Sequence, residues 1–279
     1  MDIQGTIHFF KMTGAGNDFI FIDNRLGAID ADRCGDFVRS VCRRRLSVGA
    51  DGLVLIEEDP EADFQWRFFN SDASEAQMCG NAARCAVRFA YLTGIVRKTE
   101  MSFRTRAGMI RGEILGDGAR VRMPSPHGLK LGIGLESSGW THVVDCIDTG
   151  VPHAVLAVAD AGELEAADVD GLGRVLRSDA HFNPAGSNID FACVLDRHHL
   201  AVRTYERGVE GETLACGTGV IASVLTLAAR GLADSPVGVQ TRGGEILTVH
   251  YRRAAGGEFT EVFLEGGARV VYEADLWPL

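Results

Sequence analysis

The chain has 279 residues, 46% of them hydrophobic and 24% charged, and a formal net charge of −10. That length holds one large domain or two ordinary ones in a soluble globular chain. The acidic balance argues against a nucleic-acid or anionic-membrane partner, yet leaves room for a small anionic substrate in a locally positive pocket. The opening residues, Met1 to His8, lack a basic region followed by an apolar core, so no secretory leader is expected. The longest apolar run, around residues 219–229, is far shorter than the roughly 20 residues of a membrane span. Seven cysteines, an odd number, fit a reducing compartment, and a cytoplasmic protein is expected. No CxxC pair is present, so no metal site is expected.

In chain order, residues 7–12 read as a strand, residues 13–18 as a tight polar turn, and residues 19–22 as a second strand. The Gly14-Ala15-Gly16 turn leads into Phe-Ile-Phe-Ile and not into a helix, which removes a dinucleotide-loop reading. Residues 30–45 read as a helix, with Arg39, Arg43, Arg44 and Arg45 expected on its solvated C-terminal end. Residues 53–57 and 66–69 read as strands. The segment Met78-Cys79-Gly80-Asn81 opens an apolar helix, and residues 101–105 and 109–115 are further strands.

The second half repeats this plan. Glu75 and Cys79-Gly80 recur as Glu212 and Cys216-Gly217, 137 residues on. Gly49-Ala50-Asp51 recurs as Gly186-Ser187-Asn188 and Gly94 as Gly231, at the same spacing. Thr13-Gly14 recurs as Thr149-Gly150, and Thr105-Arg106-Ala107-Gly108 as Thr241-Arg242-Gly243-Gly244, each 136 residues on. Landmarks in one order at one spacing predict an α+β protein of two pseudo-symmetric domains, each with strands about one apolar helix. Such a period is far too long for a solenoid. Domain interfaces are preferred small-molecule sites, so Cys79 is expected to face Cys216 across a cleft.

Each of these two cysteines stands at a predicted helix start. Unpaired N–H groups there favour a thiolate and receive a carboxylate. Cys34, Cys42, Cys85, Cys146 and Cys193 have no such context and are expected to pack in the core. A like pair of thiols suits inversion of a stereocentre: one takes a proton from one face of a carbon and the other returns a proton to the opposite face. The pair titrates as a coupled unit. The carbanion needs backbone N–H donors, and those of Gly80, Asn81, Gly217 and Thr218 are the natural ones. No lysine stands in a context that suggests a pyridoxal phosphate Schiff base, so no cofactor is expected.

Three stretches resemble the diaminopimelate epimerases. They are Phe9-Phe10-Lys11-Met12-Thr13-Gly14-Ala15-Gly16-Asn17-Asp18-Phe19; Phe68-Phe69-Asn70-Ser71-Asp72 with Met78 to Cys85; and Tyr205-Glu206-Arg207-Gly208 with Gly211 to Gly219. The likeness runs in order over nearly the whole chain. It implies a cofactor-independent isomerase interconverting LL- and meso-diaminopimelate, on the route to lysine and peptidoglycan. It implies two domains, each a β-barrel-like mixed sheet around a central helix: residues 1–125, rejoined by a C-terminal strand over 266–279, and residues 126–265. Cys79 and Cys216 then correspond to the acid/base pair. Gly80, Asn81, Gly217 and Thr218 correspond to positions that hold the carboxylate at the reacting centre. Asn17, Asn70, Asn188, Glu206 and Arg207 match substrate-binding positions, Arg207 as a bidentate clamp on a distal carboxylate. His153 matches a histidine near the reacting centre. The family often forms homodimers.

Three positions depart from the family pattern: Val151 stands where Asn precedes Pro-His, Gly52 where Gln often follows Gly-Ala-Asp, and Ala82 where Gly is common. The first two bear on substrate identity. A racemase or epimerase of another amino acid, such as proline or hydroxyproline, fits the same paired thiols. So does a thiol-redox protein in which Cys79 and Cys216 pair reversibly.

Overall fold

The two apolar helices read from the sequence form the centres of two units in a computed structural model that describes residues 5–30, 34–137 and 139–277. One unit comprises Met1–Val121 with Gly266–Leu279, the other Arg122–Glu265. The elements of the first stretch are β1 (Ile7–Gly14), β2 (Asn17–Asp23), α1 (Cys34–Val41), β3 (Gly52–Glu57), β4 (Phe64–Asn70), α2 (Gly80–Leu92), β5 (Glu100–Thr105), β6 (Gly108–Leu115) and β7 (Gly118–Arg122). The second unit carries β8 (His127–Ser137), β9 (Trp140–Asp148), β10 (Pro152–Val158), α3 (Ala161–Ala166), α4 (Val169–Leu176), β11 (Asn188–Asp196), β12 (His199–Glu206), β13 (Gly211–Thr213), α5 (Gly217–Ala229), β14 (Val237–Gln240), β15 (Ile246–Arg253) and β16 (Phe259–Gly267). The last strand is β17 (Arg269–Leu276). Residues 278 and 279, included in the expected C-terminal strand, lie outside the described residues.

In the first unit the strands pair in the order β17-β1-β2-β3-β4-β5-β6-β7. In the second the order is β8-β9-β10-β11-β12-β14-β15-β16, with β13 added against β12. Both orders run through the same senses: antiparallel twice, parallel, antiparallel, parallel, then antiparallel twice. The repeat in the sequence is therefore a repeat in topology. The first place is filled differently: β17 pairs with β1, with Tyr272 opposite Lys11, whereas β8 takes that place beside β9.

Helix α2 and helix α5 are buried over most of their surface, from Gly80 to Val87 and from Gly219 to Ala228. A helix apolar on most of its surface needs protein around it, and the strands supply it. In the first unit Phe89 of α2 meets Phe10 of β1 and Phe21 of β2, with ring centroids 5.2 and 5.4 Å apart. Both helices end at a glycine in the left-handed region, Gly94 (φ 72°) and Gly231 (φ 75°). A side chain is disfavoured in that conformation, which is why a glycine marks the same stop twice.

The helix expected over residues 30–45 is shorter. Residues 31–33 lie outside the described residues, and α1 ends at Val41. Arg44 is therefore not on a solvated helix end. It reaches Asp18 at 2.5 Å and Asp51 at 2.7 Å, and Lys11 lies 2.7 Å from the same Asp18 carboxylate. Burial pushes the Asp18 carboxyl up, but hydrogen bonds from Arg44 and Lys11 outweigh it and hold it at about 2. A folded-state pKa below the unfolded value stabilises the fold above the unfolded pKa and loses that contribution as pH falls through the folded one. Asp18→Asn is expected to lower stability by about 1–2 kcal/mol at neutral pH, after discounting for solvent screening. The difference from wild type should vanish as pH falls from about 4 to 2. Urea unfolding at pH 7 and at pH 3 checks this; a difference that does not shrink in acid would contradict the ion-pair origin.

Candidate active site

In the first unit, β4 ends at Asn70 and a loop leads into Cys79, the residue before α2. Cys79 has an extended backbone (φ −146°, ψ 120°), and its carbonyl accepts the first helical hydrogen bond, from Ala83 N–H at 2.9 Å. The N–H groups of the following residues lie at the helix's positive end. Asn81 is buried and donates through Nδ2 to Asn17 Oδ1 at 2.8 Å; Asn17 Nδ2 donates to Asp51 Oδ2 at 3.0 Å. Arg84, one turn into α2 and wholly buried, donates to Asn81 Oδ1 at 2.9 Å and to the Gly80 carbonyl at 3.3 Å. These bonds fix both amides in one orientation. Cys79, Gly80, Asn81 and Asn17 thus come together. Asn70 does not join this hydrogen-bonded set: its amide donates to Ser74 Oγ at 2.9 Å.

The second unit places Cys216 in the same local role, with an extended backbone (φ −115°, ψ 108°) and its carbonyl accepting from Val220 N–H at 2.9 Å. Gly217 is then the first helical residue. Three strands present polar side chains to this helix start. In the β10–β11 register His153 stands opposite Asn188; in the β11–β12 register Asp190 stands opposite Thr204. Asn188 and Asp190 share one face of β11 because side chains alternate along a strand. The Asp190 carboxylate accepts from Thr204 Oγ1 at 2.7 Å and lies 2.7 Å from His153 Nδ1. His153 Nε2 lies 3.0 Å from Thr218 Oγ1, which is 3.4 Å from Cys216 Sγ. Arg207 N–H donates to Asn188 Oδ1 at 2.8 Å, and the Arg207 guanidinium donates to the Ala185 carbonyl at 2.9 Å. Cys216, Thr218, His153, Asn188 and Arg207 are thereby one connected group.

Burial pushes the Cys216 thiol well above its ordinary range, and the Glu206 and Asp190 carboxylates push in the same direction. The Thr218 hydroxyl and the Gly219 N–H pull the other way without prevailing. This corrects the expectation that its helix start favours a thiolate: the dipole is present, but desolvation and two anionic neighbours outweigh it. Glu206, the last residue of β12, is thus close enough to act on Cys216, and burial pushes its own carboxyl up as well.

Sequence reasoning missed Asp190, Thr204 and Arg84. Two of them carry a signal in retrospect. Asp190 is a carboxylate between the apolar residues Ile189 and Phe191, and Arg84 is a cation within a mostly apolar helix. Buried charges of this kind need partners.

The departures from the family pattern also have structural correlates. A Cβ at Gly52 would stand 2.6 Å from the Phe69 carbonyl oxygen and 2.7 Å from the Phe68 ring, so glutamine has no room here. Ala82 is wholly buried in α2.

Among the described residues no cysteine is in a disulfide, and no group of three or more His, Cys, Asp or Glu is arranged to hold a metal ion. Among the described residues no helix is long and apolar enough to cross a membrane.

The profile of a family described as diaminopimelate epimerase matches residues 9–127 and 146–269. The diaminopimelate epimerase of Aquifex aeolicus (strain VF5) is 43% identical over 283 residues, spanning 97% of this chain and 98% of that protein. That of Hydrogenobaculum sp. (strain Y04AAS1) is 40% identical over 276 residues, spanning 95% and 97%. Among solved structures, a phenazine biosynthesis protein of the PhzF family from Bacillus anthracis superposes with a TM-score of 0.77 at 17% identity, over 98% of this chain and 99% of that one. A hydroxyproline epimerase from Agrobacterium vitis, with trans-4-hydroxy-L-proline bound, superposes with a TM-score of 0.69 at 15% identity, over 99% and 94%. At those identities the two structures share the fold.

Proposed function

The chain belongs to the diaminopimelate epimerase family, a family of isomerases, and on that premise we propose that it interconverts LL- and meso-diaminopimelate by proton transfer through Cys79 and Cys216. One cysteine, as thiolate, takes the α-proton; the other, as thiol, returns a proton to the opposite face. The roles exchange in the reverse direction, which is why two like groups are needed. The backbone N–H groups of Gly80, Asn81, Gly217 and Thr218 hold the α-carboxylate as charge develops beside it. Asn17, Asn70, Asn188 and Glu206 contact the polar ends of the substrate, with His153 supporting, and Arg207 clamps the distal carboxylate. No cofactor takes part in this scheme. The observation that carries the reading is the duplicated helix start, Cys79-Gly80-Asn81 and Cys216-Gly217-Thr218, each with a cysteine carbonyl closing the first helical turn. The role is in lysine and peptidoglycan-precursor biosynthesis, in the cytoplasm.

The decisive experiment is incubation with LL-diaminopimelate in deuterated water under reducing conditions, with no added cofactor. Deuterium should appear at the α-carbon as the meso isomer forms, and its absence would end the proposal. Arg207→Met should reduce kcat/KM for diaminopimelate by about 10–100-fold, the size of a lost charge-assisted clamp. An equal loss on a substrate without a second carboxylate would contradict the distal role.

A homodimer is part of the proposal. It is supported by large apolar side chains left exposed on the β8–β9 hairpin of the second unit: Leu129 and Leu131 of β8, and Trp140 and Val143 of β9. Sedimentation of wild type against Trp140→Glu tests it, the variant being expected as a monomer.

A further inference from the structure

The repeat extends to a set of charged residues beside each cysteine segment. Arg67, Glu75 and Arg106 recur as Arg203, Glu212 and Arg242, at spacings of 136, 137 and 136 residues. Each glutamate stands four residues before its cysteine. Each also lies on a short stretch bridged antiparallel to the end of a strand. Glu75 is opposite Phe69 of β4, and Glu212 of β13 is opposite Tyr205 of β12. One arginine of each set, Arg67 or Arg203, comes from that same strand. The other, Arg106 or Arg242, comes from the turn that follows the neighbouring parallel strand, β5 or β14. Arg67 lies 3.7 Å and Arg106 3.5 Å from the Glu75 carboxylate. In the second unit Arg203 donates to both oxygens of Glu212, at 2.6 and 2.8 Å, and Arg242 lies 3.7 Å away. Arg203 also donates to the Leu164 and Glu165 carbonyls, at 2.8 and 3.0 Å.

We propose that Glu75 and Glu212 are positioning residues, each holding, through its pair of arginines, the segment that carries one of the two thiols. The inference rests on the acid/base roles proposed above for Cys79 and Cys216. Neither cysteine side chain caps its helix with a hydrogen bond. The place of each sulfur therefore depends on where the backbone is held on either side of it. On one side is the first turn of α2 or α5. On the other is the glutamate, tied to two strands at once. Proton transfer is sensitive to such placement, since a shift of about 1 Å can cost roughly 100-fold in rate. The two anchors differ in strength. The Arg203–Glu212 pair is bidentate, and its side chains are 10% and 18% exposed. Arg67 and Glu75 are 26% and 29% exposed and meet at a longer distance. Charge-assisted bidentate pairs are the stronger and more directional ones, so the Cys216 segment is held more firmly than the Cys79 segment.

The test uses the full chain and the variants Glu75→Gln and Glu212→Gln, which keep the side chain's shape and remove its charge. Amide hydrogen exchange should quicken over residues 76–81 in the first variant and over residues 213–218 in the second, each within its own unit. With diaminopimelate, kcat should fall about threefold in Glu75→Gln and about tenfold or more in Glu212→Gln, with KM held within about twofold. One thiol removes the α-hydrogen of the LL isomer and the other that of the meso isomer. A loosened thiol makes its own transfer more rate-limiting. The α-deuterium isotope effect on kcat should therefore rise for one isomer in Glu75→Gln and for the other isomer in Glu212→Gln. General destabilisation would not sort the two variants by isomer. Exchange and isotope effects unchanged in both folded variants, or a rise for the same isomer in both, would overturn the proposal. If a glutamate variant does not fold, Arg106→Met or Arg242→Met, which removes the more exposed partner, decides by the same readings. Failure of α-deuteration in the wild type would overturn the proposed function, and the exchange pattern alone would then decide whether the glutamates hold the two segments.

Discussion

Cys79→Ala and Cys216→Ala are each expected to lose epimerisation of LL-diaminopimelate by at least about 10²–10⁴-fold, the range contributed by one positioned acid or base. In a two-base scheme either cysteine is indispensable, because one face of the α-carbon lacks a proton donor or acceptor without it. The two losses should not add in the double variant, since residues acting as a unit fail together. The measurement is conversion between the two isomers, followed with α-deuterium incorporation, in protein kept reduced. A single variant that retains near-wild-type conversion would show that one thiol is dispensable. Stability should barely change in Cys79→Ala: the residue is half-buried, and alanine keeps the extended backbone that precedes α2.

Phe89→Ala separates folding from chemistry on that same helix. Phe89 is 1% exposed and meets Phe10 and Phe21 in the core of the first unit. Its removal should cost about 3–5 kcal/mol, the transfer term plus the cavity left behind. The midpoint of urea unfolding should fall sharply with the slope unchanged. The folded fraction should keep its epimerase activity, because Phe89 lies more than two turns from Cys79. A loss below about 1 kcal/mol would mean that the three rings do not form a packed cluster.

Much of the architecture was legible because its signals are local. Strand alternation, the turn glycines and the mostly apolar helices are properties of short windows, and the glycine stops at 94 and 231 follow from backbone sterics alone. The 136–137 repeat made the two windows one statement. Elements bounded by long-range contacts were less legible. Helix α1 stops at Val41, and Arg44, just beyond it, pairs with Asp18 and Asp51. No short-window rule sends Arg44 to those two carboxylates, so a solvated helix end and an ion-pair network look alike in the sequence.

The duplicated Cys-Gly start was determined by the sequence alone. It specifies two helices, each preceded by a thiol, because an apolar run of helical character needs a non-helical residue before its first turn, and the cysteine stands there both times. What the thiol experiences was decided by tertiary structure. Cys216 is pushed toward its protonated form by burial and by Glu206 and Asp190, which reach it from separate strands. The partners of His153 follow from the registers of β10, β11 and β12. Gly52 follows the same division: its identity is in the sequence, but its reason is the Phe69 carbonyl and Phe68 ring packed on the neighbouring strand. Local backbone preferences act over a few residues and can be read in order, whereas desolvation and pairing depend on groups that only the folded chain brings together.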